Sequence, residues 1–129
     1  MMNGYPKITK LAVWSSQMIH GIRVWYSLNG NPAADAKNFK KKEIKKGCTK
    51  QVFPLDTDEF IVSLSGRSGA VLDHLTIVTS KGKRLDVGGS GGNPFDLQIP
   101  QGFTIGAFKG GYGGHIHNLG GILVPIVMP

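Results

Sequence analysis

The stretch FIVSLSGRSGAVLDHLTIVTSKGK, residues 60–83, contains two segments rich in apolar residues on either side of a short glycine-containing stretch. In the first segment, FIVSLSG, the residues alternate along a predicted strand, so that Ile61 and Ser63 lie on one face and Leu64 lies on the other. The second segment, VLDHLTIVTSKGK, predicts a strand that ends at a Lys-Gly turn. The stretch therefore indicates two successive β-strands.

Strand patterns continue toward the N-terminus. The segment ITKLAVWSS begins at Ile8 and places Ile8, Lys10 and Trp14 on one predicted strand face. In IHGIRVWYSL, Val24 lies on the face opposite Arg23, and the Asn-Gly pair that follows is typical of a turn. By contrast, PAADAKNFKKKEIKK has no clear apolar stripe, and we predict a long charged loop with a short strand or one turn of helix.

Short strand patterns also continue toward the C-terminus, in RLDVGG, PFDLQIP, FTIGAF and GILVPIV, and Gly, Pro or Asn separates them. The 19 glycines are about twice the usual share, which favours tight turns and bulges over helices. Short strands with turn signals about every 8–12 residues are typical of an all-β sandwich or barrel-like domain.

The length of 129 residues predicts a single domain, residues 1–129, that folds without a disulfide or a metal. The one cysteine, Cys48, excludes an intrachain disulfide, and we predict an ordinary thiol. No stretch resembles a signal peptide, and the most apolar segment, residues 122–129, is too short to cross a bilayer. The chain is predicted to be soluble, and either cytoplasmic or secreted with a leader outside this sequence.

The net charge of +7 is concentrated in one segment, because residues 37–50 contain seven lysines and a single acid, Glu43. One interpretation is a solvated face that aids solubility. The other is contact with a polyanion, namely a sulfated glycan, an anionic lipid or nucleic acid. The residues predicted to make this contact are Lys40, Lys41, Lys42, Lys45 and Lys46. Phe39 is the only aromatic residue in the segment, so we expect no stacking platform for a nucleic acid partner.

The sequence lacks the residue patterns that several kinds of catalytic and ligand-binding site need. Asp73 and His74 are adjacent, so on a strand they point to opposite faces and form no catalytic dyad. The glycine-rich stretches lack the Gly-Lys-Ser/Thr of a phosphate-binding loop. His115 and His117 share one side of a strand, but two histidines without further ligands do not predict a metal site. We predict no enzyme activity and no cofactor.

The stretch GGYGGHIHNLGG, residues 110–121, suggests a pocket lined by backbone instead. Glycine lets ligand hydroxyls approach main-chain N–H groups, and Tyr112 could cover an apolar sugar face. The same order of apolar, glycine and polar positions also occurs in LSGRSGAVLDHLTI. Gly69 precedes Asp73 by four positions, as Gly113 precedes His117. Such a repeat suggests a pseudo-symmetric β architecture.

Three blocks in order carry a resemblance to a known family. They are ITKLAVWSSQMIHGIRVWYSLNG, FIVSLSGRSGAVLDHLTIVTSKGK and GGSGGNPFDLQIPQGFTIGAFKGGYGGHIHNLGG. Over nearly its whole length the chain resembles the jacalin-related lectins, including the animal zymogen-granule type. The resemblance implies an all-β fold, a β-prism of three four-stranded Greek-key sheets around a pseudo-threefold axis, which would explain the repeat.

The resemblance also implies a mannose or galactose site between loops at one end of the prism. The residues that it assigns to sugar binding are Gly66, Arg67, Ser68, Gly113, Gly114, His115 and His117. The backbone amides of Gly114 and His115 are expected to contact the sugar. A second candidate site comprises Gly69 and Asp73.

Two departures from the family pattern bear on this site. His117 stands where the family has Asp, and a neutral imidazole accepts one hydrogen bond where a carboxylate accepts several. The family's N-terminal Gly-Gly loop is either missing or reduced to residues 2–4. We therefore expect altered sugar binding, with a neutral or sulfated carbohydrate as partner and a homo-oligomer left open. The alternative is an interaction module that has lost sugar binding and binds a protein, an anionic lipid or a polyanion.

Overall fold

The structure is a computed structural model that describes residues 6–28, 31–32, 37–40, 47–109 and 119–126. These residues form eleven β-strands. The strands of the first half of the chain are β1 (Pro6–Ser15), β2 (Ile19–Leu28), β3 (Asn31–Pro32), β4 (Lys37–Lys40) and β5 (Thr49–Pro54). Those of the second half are β6 (Ile61–Ser68), β7 (Leu72–Thr79), β8 (Arg84–Gly88), β9 (Asn93–Leu97), β10 (Phe103–Lys109) and β11 (Gly120–Pro125).

The strands pair antiparallel in three sheets. The first sheet has the order β3-β2-β1-β5, and β4 also pairs with β2. The second sheet has the order β8-β7-β6-β9, and the third joins β10 to β11. The described segments thus confirm an all-β chain, and β4 confirms a short strand within the charged segment. No helix in this part of the chain is long and apolar enough to cross a membrane.

The three sheets enclose one apolar core. β10 contacts both β1 and β6, and β2 contacts β7, so each sheet meets the other two. Each sheet contributes fully buried side chains, for example Leu11 from the first, Leu64 from the second and Phe108 from the third. On β2, Val24 is buried and Arg23 is exposed, as the alternation predicted. A core shared by three sheets is the arrangement expected of a prism.

Two predicted strand faces are wrong, and in each case a β-bulge is the reason. A register shift between Ile61 and Ser63 leaves Val62 without a cross-strand partner. Ile61 and Leu64, predicted on opposite faces, therefore both lie in the core, at 1% and 0% exposure. A second shift, between Ile8 and Lys10, buries Ile8 while Lys10 stays partly exposed. An extra residue in one strand inverts the alternation beyond it.

A buried carboxylate joins the turn before β6 to the turn after β7. Glu59 is 1% exposed. Its Oε1 accepts a hydrogen bond from the Asp56 backbone N–H at 3.0 Å, and its Oε2 accepts one from the Thr79 hydroxyl at 2.5 Å. Lys83 Nζ lies 3.4 Å from Oε1. Burial alone would raise the pKa of Glu59, but these three donors together hold it below the usual value.

We expect Glu59→Ala to lower the free energy of unfolding by about 2 kcal/mol, because the Thr79 hydroxyl and the Asp56 amide lose their acceptor. Urea denaturation followed by circular dichroism measures this loss. Asp58→Ala is the control, since it removes only the exposed ion pair with Lys81. Equal losses in the two variants would contradict a structural role for the buried carboxylate.

Candidate functional site

The glycine-rich loop between β8 and β9 lies against the hairpin that joins β6 to β7. Gly88 and Gly92 have φ values of +109° and +72°, in the left-handed region that favours glycine. A Cβ at Gly92 would lie 2.5 Å from Asp73 Oδ2 and 2.7 Å from the backbone carbon of Ser68. A Cβ at Gly91 would lie 2.8 Å from Asp73 Oδ1. Gly92 is therefore required by its backbone conformation and by the close Ser68 backbone, whereas a Cβ at Gly91 would meet only the end of the Asp73 side chain.

Arg67 holds this loop in place. Its Nε donates to the carbonyl oxygen of Gly91 at 3.0 Å, and its Nη2 donates to the carbonyl oxygen of Gly92 at 2.8 Å. Hydrogen bonds to a guanidinium are stronger than those between neutral groups. The side chain thus braces the two glycines that face Asp73.

The Asp73 carboxylate is partly exposed and forms no hydrogen bond or ion pair with another described residue. The neighbouring Gly69 differs, because its N–H already donates to the Val71 carbonyl oxygen at 2.9 Å within the hairpin turn. A carboxylate that faces glycine backbone and has both oxygens available can accept hydrogen bonds from several ligand hydroxyls.

The structure brings together some of the predicted site residues and leaves others undescribed. Arg67, Ser68, Gly69 and Asp73 meet at this end of the second sheet, beside the Gly91–Gly92 turn that the sequence reasoning did not assign to a site. The sequence signal for this turn is the GGSGG motif itself, which lacks the residues of a phosphate-binding loop and belongs to the third block of the family resemblance. The predicted residues Gly113, Gly114, His115 and His117 lie outside the described residues, as do Lys41, Lys42, Lys45 and Lys46.

Gly66 has a structural role on β6. A Cβ there would lie 2.1 Å from the backbone oxygen of His74 on β7, so the two strands could not approach as they do with a larger residue. Its neighbours Ser65 and Arg67 line a shallow outward groove of about 480 Å³ together with Phe95 and Asp96 of β9.

His74 links the glycine loop to β8. Its Nδ1 lies 3.1 Å from the carbonyl oxygen of Gly89, and its Nε2 is hydrogen-bonded to Oδ1 of Asp86. The Thr76 hydroxyl also donates to Oδ1, and Arg84 Nη2 donates to Oδ2. The hydrogen bond from His74 is the main reason that the pKa of Asp86 lies below its usual value, and those from Thr76 and Arg84 add to it.

No group of three or more His, Cys, Asp or Glu side chains in the described ranges could hold a metal ion. The predicted pair His115 and His117 falls outside those ranges.

Comparison with known proteins identifies the fold and the family. The family model of the Jacalin-like lectin domain matches residues 1–122. The chain belongs to the jacalin-like lectin family. The agglutinin alpha chain of Maclura pomifera is 38% identical over an alignment of 108 residues, which covers 77% of this chain and 76% of that relative.

Solved lectins superpose on this jacalin-like chain over most of its length. Frutalin from Artocarpus incisa, in complex with galactose, is 26% identical, with a TM-score of 0.81 over 95% of each chain. The mannose-binding lectin from champedak is 25% identical, with a TM-score of 0.81 over 96% of this chain and 90% of that one. The predicted β-prism is confirmed. Because lectins bind sugars without converting them, the family also confirms that the chain is not an enzyme.

We expect Asp86→Asn to lower the melting temperature at pH 7, and the difference from wild type to shrink as the pH falls. The folded-state pKa of Asp86 is lowered, so its stabilisation is fully present above the unfolded value of about 3.9 and is lost as the pH falls through the folded value. Melting curves between about pH 5 and pH 2 measure this. Asp96→Asn, on the exposed strand β9 at the opposite edge of the sheet, is the control, and a constant difference for Asp86→Asn across that range would contradict the assignment.

Proposed function

We propose that this jacalin-like chain binds carbohydrate, with the Asp73 carboxylate and the Gly91–Gly92 turn as one binding site. The carboxylate that has no partner among the described residues carries the proposal. Two hydroxyls on neighbouring sugar carbons can each donate to one carboxylate oxygen, and such charge-assisted hydrogen bonds are among the strongest available to a neutral ligand.

The surrounding backbone supports the same ligand. At Gly91 and Gly92 the Asp73 carboxylate occupies the space of a side chain, so a sugar that binds its two oxygens would lie beside the main chain of the turn. Arg67 already donates to the carbonyl oxygens of both residues, so the turn is held in position before a ligand arrives. A loop that is ordered in advance loses less conformational entropy on binding. Ser68, whose backbone touches Gly92, brings a hydroxyl to the same end of the sheet.

The related lectins indicate the sugar class. Frutalin was solved with galactose, and the champedak protein is a mannose-binding lectin. We extend this to the present chain as a preference for a mannose- or galactose-type hexose. Sugar contact through the amides of Gly114 and His115, with His117 as a single acceptor, stays a prediction, as does acidic-glycan contact through the lysines of residues 37–50.

Asp73→Asn should weaken binding of the preferred glycoside about tenfold to a hundredfold, because the substitution removes the charge from hydrogen bonds worth about 1.5–3 kcal/mol. Isothermal titration with methyl-α-mannoside and methyl-α-galactoside measures the affinity. Asp96→Asn is the matched control, since it neutralises an exposed carboxylate on β9 that does not face Gly91 or Gly92.

A second variant separates the two candidate loops. Gly114→Val places a bulky side chain in the predicted loop and leaves Asp73 intact. Binding that survives Asp73→Asn but is lost in Gly114→Val would move the site to residues 113–117. If the wild-type chain binds neither glycoside, nor any neutral or sulfated sugar on a glycan array, the alternative of a module without sugar binding is the better account.

A further inference from the structure

The outward side of the first sheet carries basic and aromatic side chains in adjacent positions. β1 lies between β2 and β5, and cross-strand pairing sets Lys10 opposite Trp25 and Trp14 opposite Lys50. Arg23 is paired with Ala12, which lies between Lys10 and Trp14 on β1. We call the surface formed by Lys10, Trp14, Arg23, Trp25 and Lys50 the cationic face.

The two indole rings hold the three cations in position. Lys10 Nζ lies 4.2 Å from the centroid of the Trp25 ring, and Arg23 Cζ lies 4.6 Å from it. Lys50 Nζ lies 5.4 Å from the centroid of the Trp14 ring. A ring beneath a cation attracts it without cancelling its charge, so these side chains are ordered and still available to an anion.

Among the described residues, no acid forms an ion pair with the cations of this face. The five strands of the first sheet contain six Lys or Arg residues and neither Asp nor Glu; the six are Lys7, Lys10, Arg23, Lys37, Lys40 and Lys50. In the described part of the chain, Lys10, Arg23 and Lys50 form no ion pair, whereas Lys81, Lys83 and Arg84 each do. The first sheet therefore has a surplus of positive charge on an ordered surface.

We propose that the cationic face binds an acidic polysaccharide, whose sulfate or carboxylate groups pair with Lys10, Arg23 and Lys50. Lys50 pairs with Trp14 of β1, Arg23 pairs with Ala12, and Lys10 is itself on β1. The positions from Trp14 to Lys10 span about 13 Å at the rise of a strand. A linear polymer with regularly repeated anions can meet several of them at once. The guanidinium of Arg23 suits bidentate contact with such a group.

Other partners fit the cationic face less well. Insertion into a membrane needs protruding apolar groups, but both indoles are half-buried, and Val52 is the one exposed large apolar residue described on this sheet. Stacking of nucleic acid bases needs open ring faces, and cations occupy these. A second copy would oppose like charges.

The cationic face differs from the segment that the sequence predicted and adjoins it. β4 carries Lys37 and Lys40 at the edge of the same sheet, where its backbone pairs with that of β2. Lys10 and Arg23, together with the two indoles, lie outside residues 37–50 in sequence. The proposal does not depend on the sugar site at Asp73, because it uses other residues on another sheet.

Tryptophan fluorescence tests the proposal directly, because the chain has two tryptophans and both lie on the cationic face. Titration of the full chain with dextran sulfate should shift the emission, and added salt should reverse the shift. Uncharged dextran should have no effect. Binding of dextran sulfate with unchanged emission would place the polyanion elsewhere and overturn the proposal.

Two triple variants with the same change of charge locate the binding surface. Lys10→Gln, Arg23→Gln and Lys50→Gln together should weaken binding of dextran sulfate about tenfold or more, and Lys41→Gln, Lys42→Gln and Lys45→Gln, in the lysine-rich segment that the sequence predicted, should weaken it less. Circular dichroism melting verifies that both variants fold. Equal losses, or a larger loss in the second variant, would overturn the proposal.

Two further measurements distinguish an acidic polysaccharide from other anionic partners, and the cationic face from the proposed sugar site at Asp73. Vesicles of phosphatidylserine and phosphatidylcholine, or a single-stranded oligonucleotide, should bind more weakly than dextran sulfate at equal ionic strength. Stronger binding to either would overturn the choice of polysaccharide. Asp73→Asn should leave dextran sulfate binding unchanged, so loss of one activity without the other shows which proposal has failed.

Discussion

The burial of one face of each sheet against the other two is the constraint on which the rest of the structure depends. Leu11, Leu64 and Phe108 come from three different sheets and are at most 1% exposed. Truncation of such a side chain typically costs about 2–5 kcal/mol, a large part of the roughly 5–15 kcal/mol by which a domain is stable. The inward faces must therefore be apolar, and charge is confined to the outward faces and the ends of the sheets.

The outward faces of the first and second sheets differ in how their charges are paired. The second sheet carries both signs of charge, and Asp86 is matched by His74 and Arg84 within one hydrogen-bonded group. The first sheet has cations only, and the indoles of Trp14 and Trp25 lie beneath them. Charge that is matched inside the molecule contributes to stability, whereas charge that is ordered but unmatched can bind another molecule.

At the end of the second sheet, close approach of backbone to side chain sets the geometry. Gly92 has a left-handed backbone conformation, and it also leaves space that the Asp73 carboxylate occupies. Arg67, which family resemblance assigned to the sugar, uses two of its donors to hold the loop carbonyls. Arg67 thus positions the turn, while Asp73 on the neighbouring strand supplies the carboxylate of the proposed sugar site.

The sequence by itself determined the strands, the family and the unequal distribution of charge, because alternation, motif order and composition are properties of the chain read locally. Only the tertiary structure decided that Ile61 and Leu64 share a face, since a bulge depends on the partner strand. Pairing of separate strands likewise brought the Gly91–Gly92 turn to Asp73 and Lys50 to Trp14. These contacts join residues far apart in the sequence, and they form because the sheets must close around a single core.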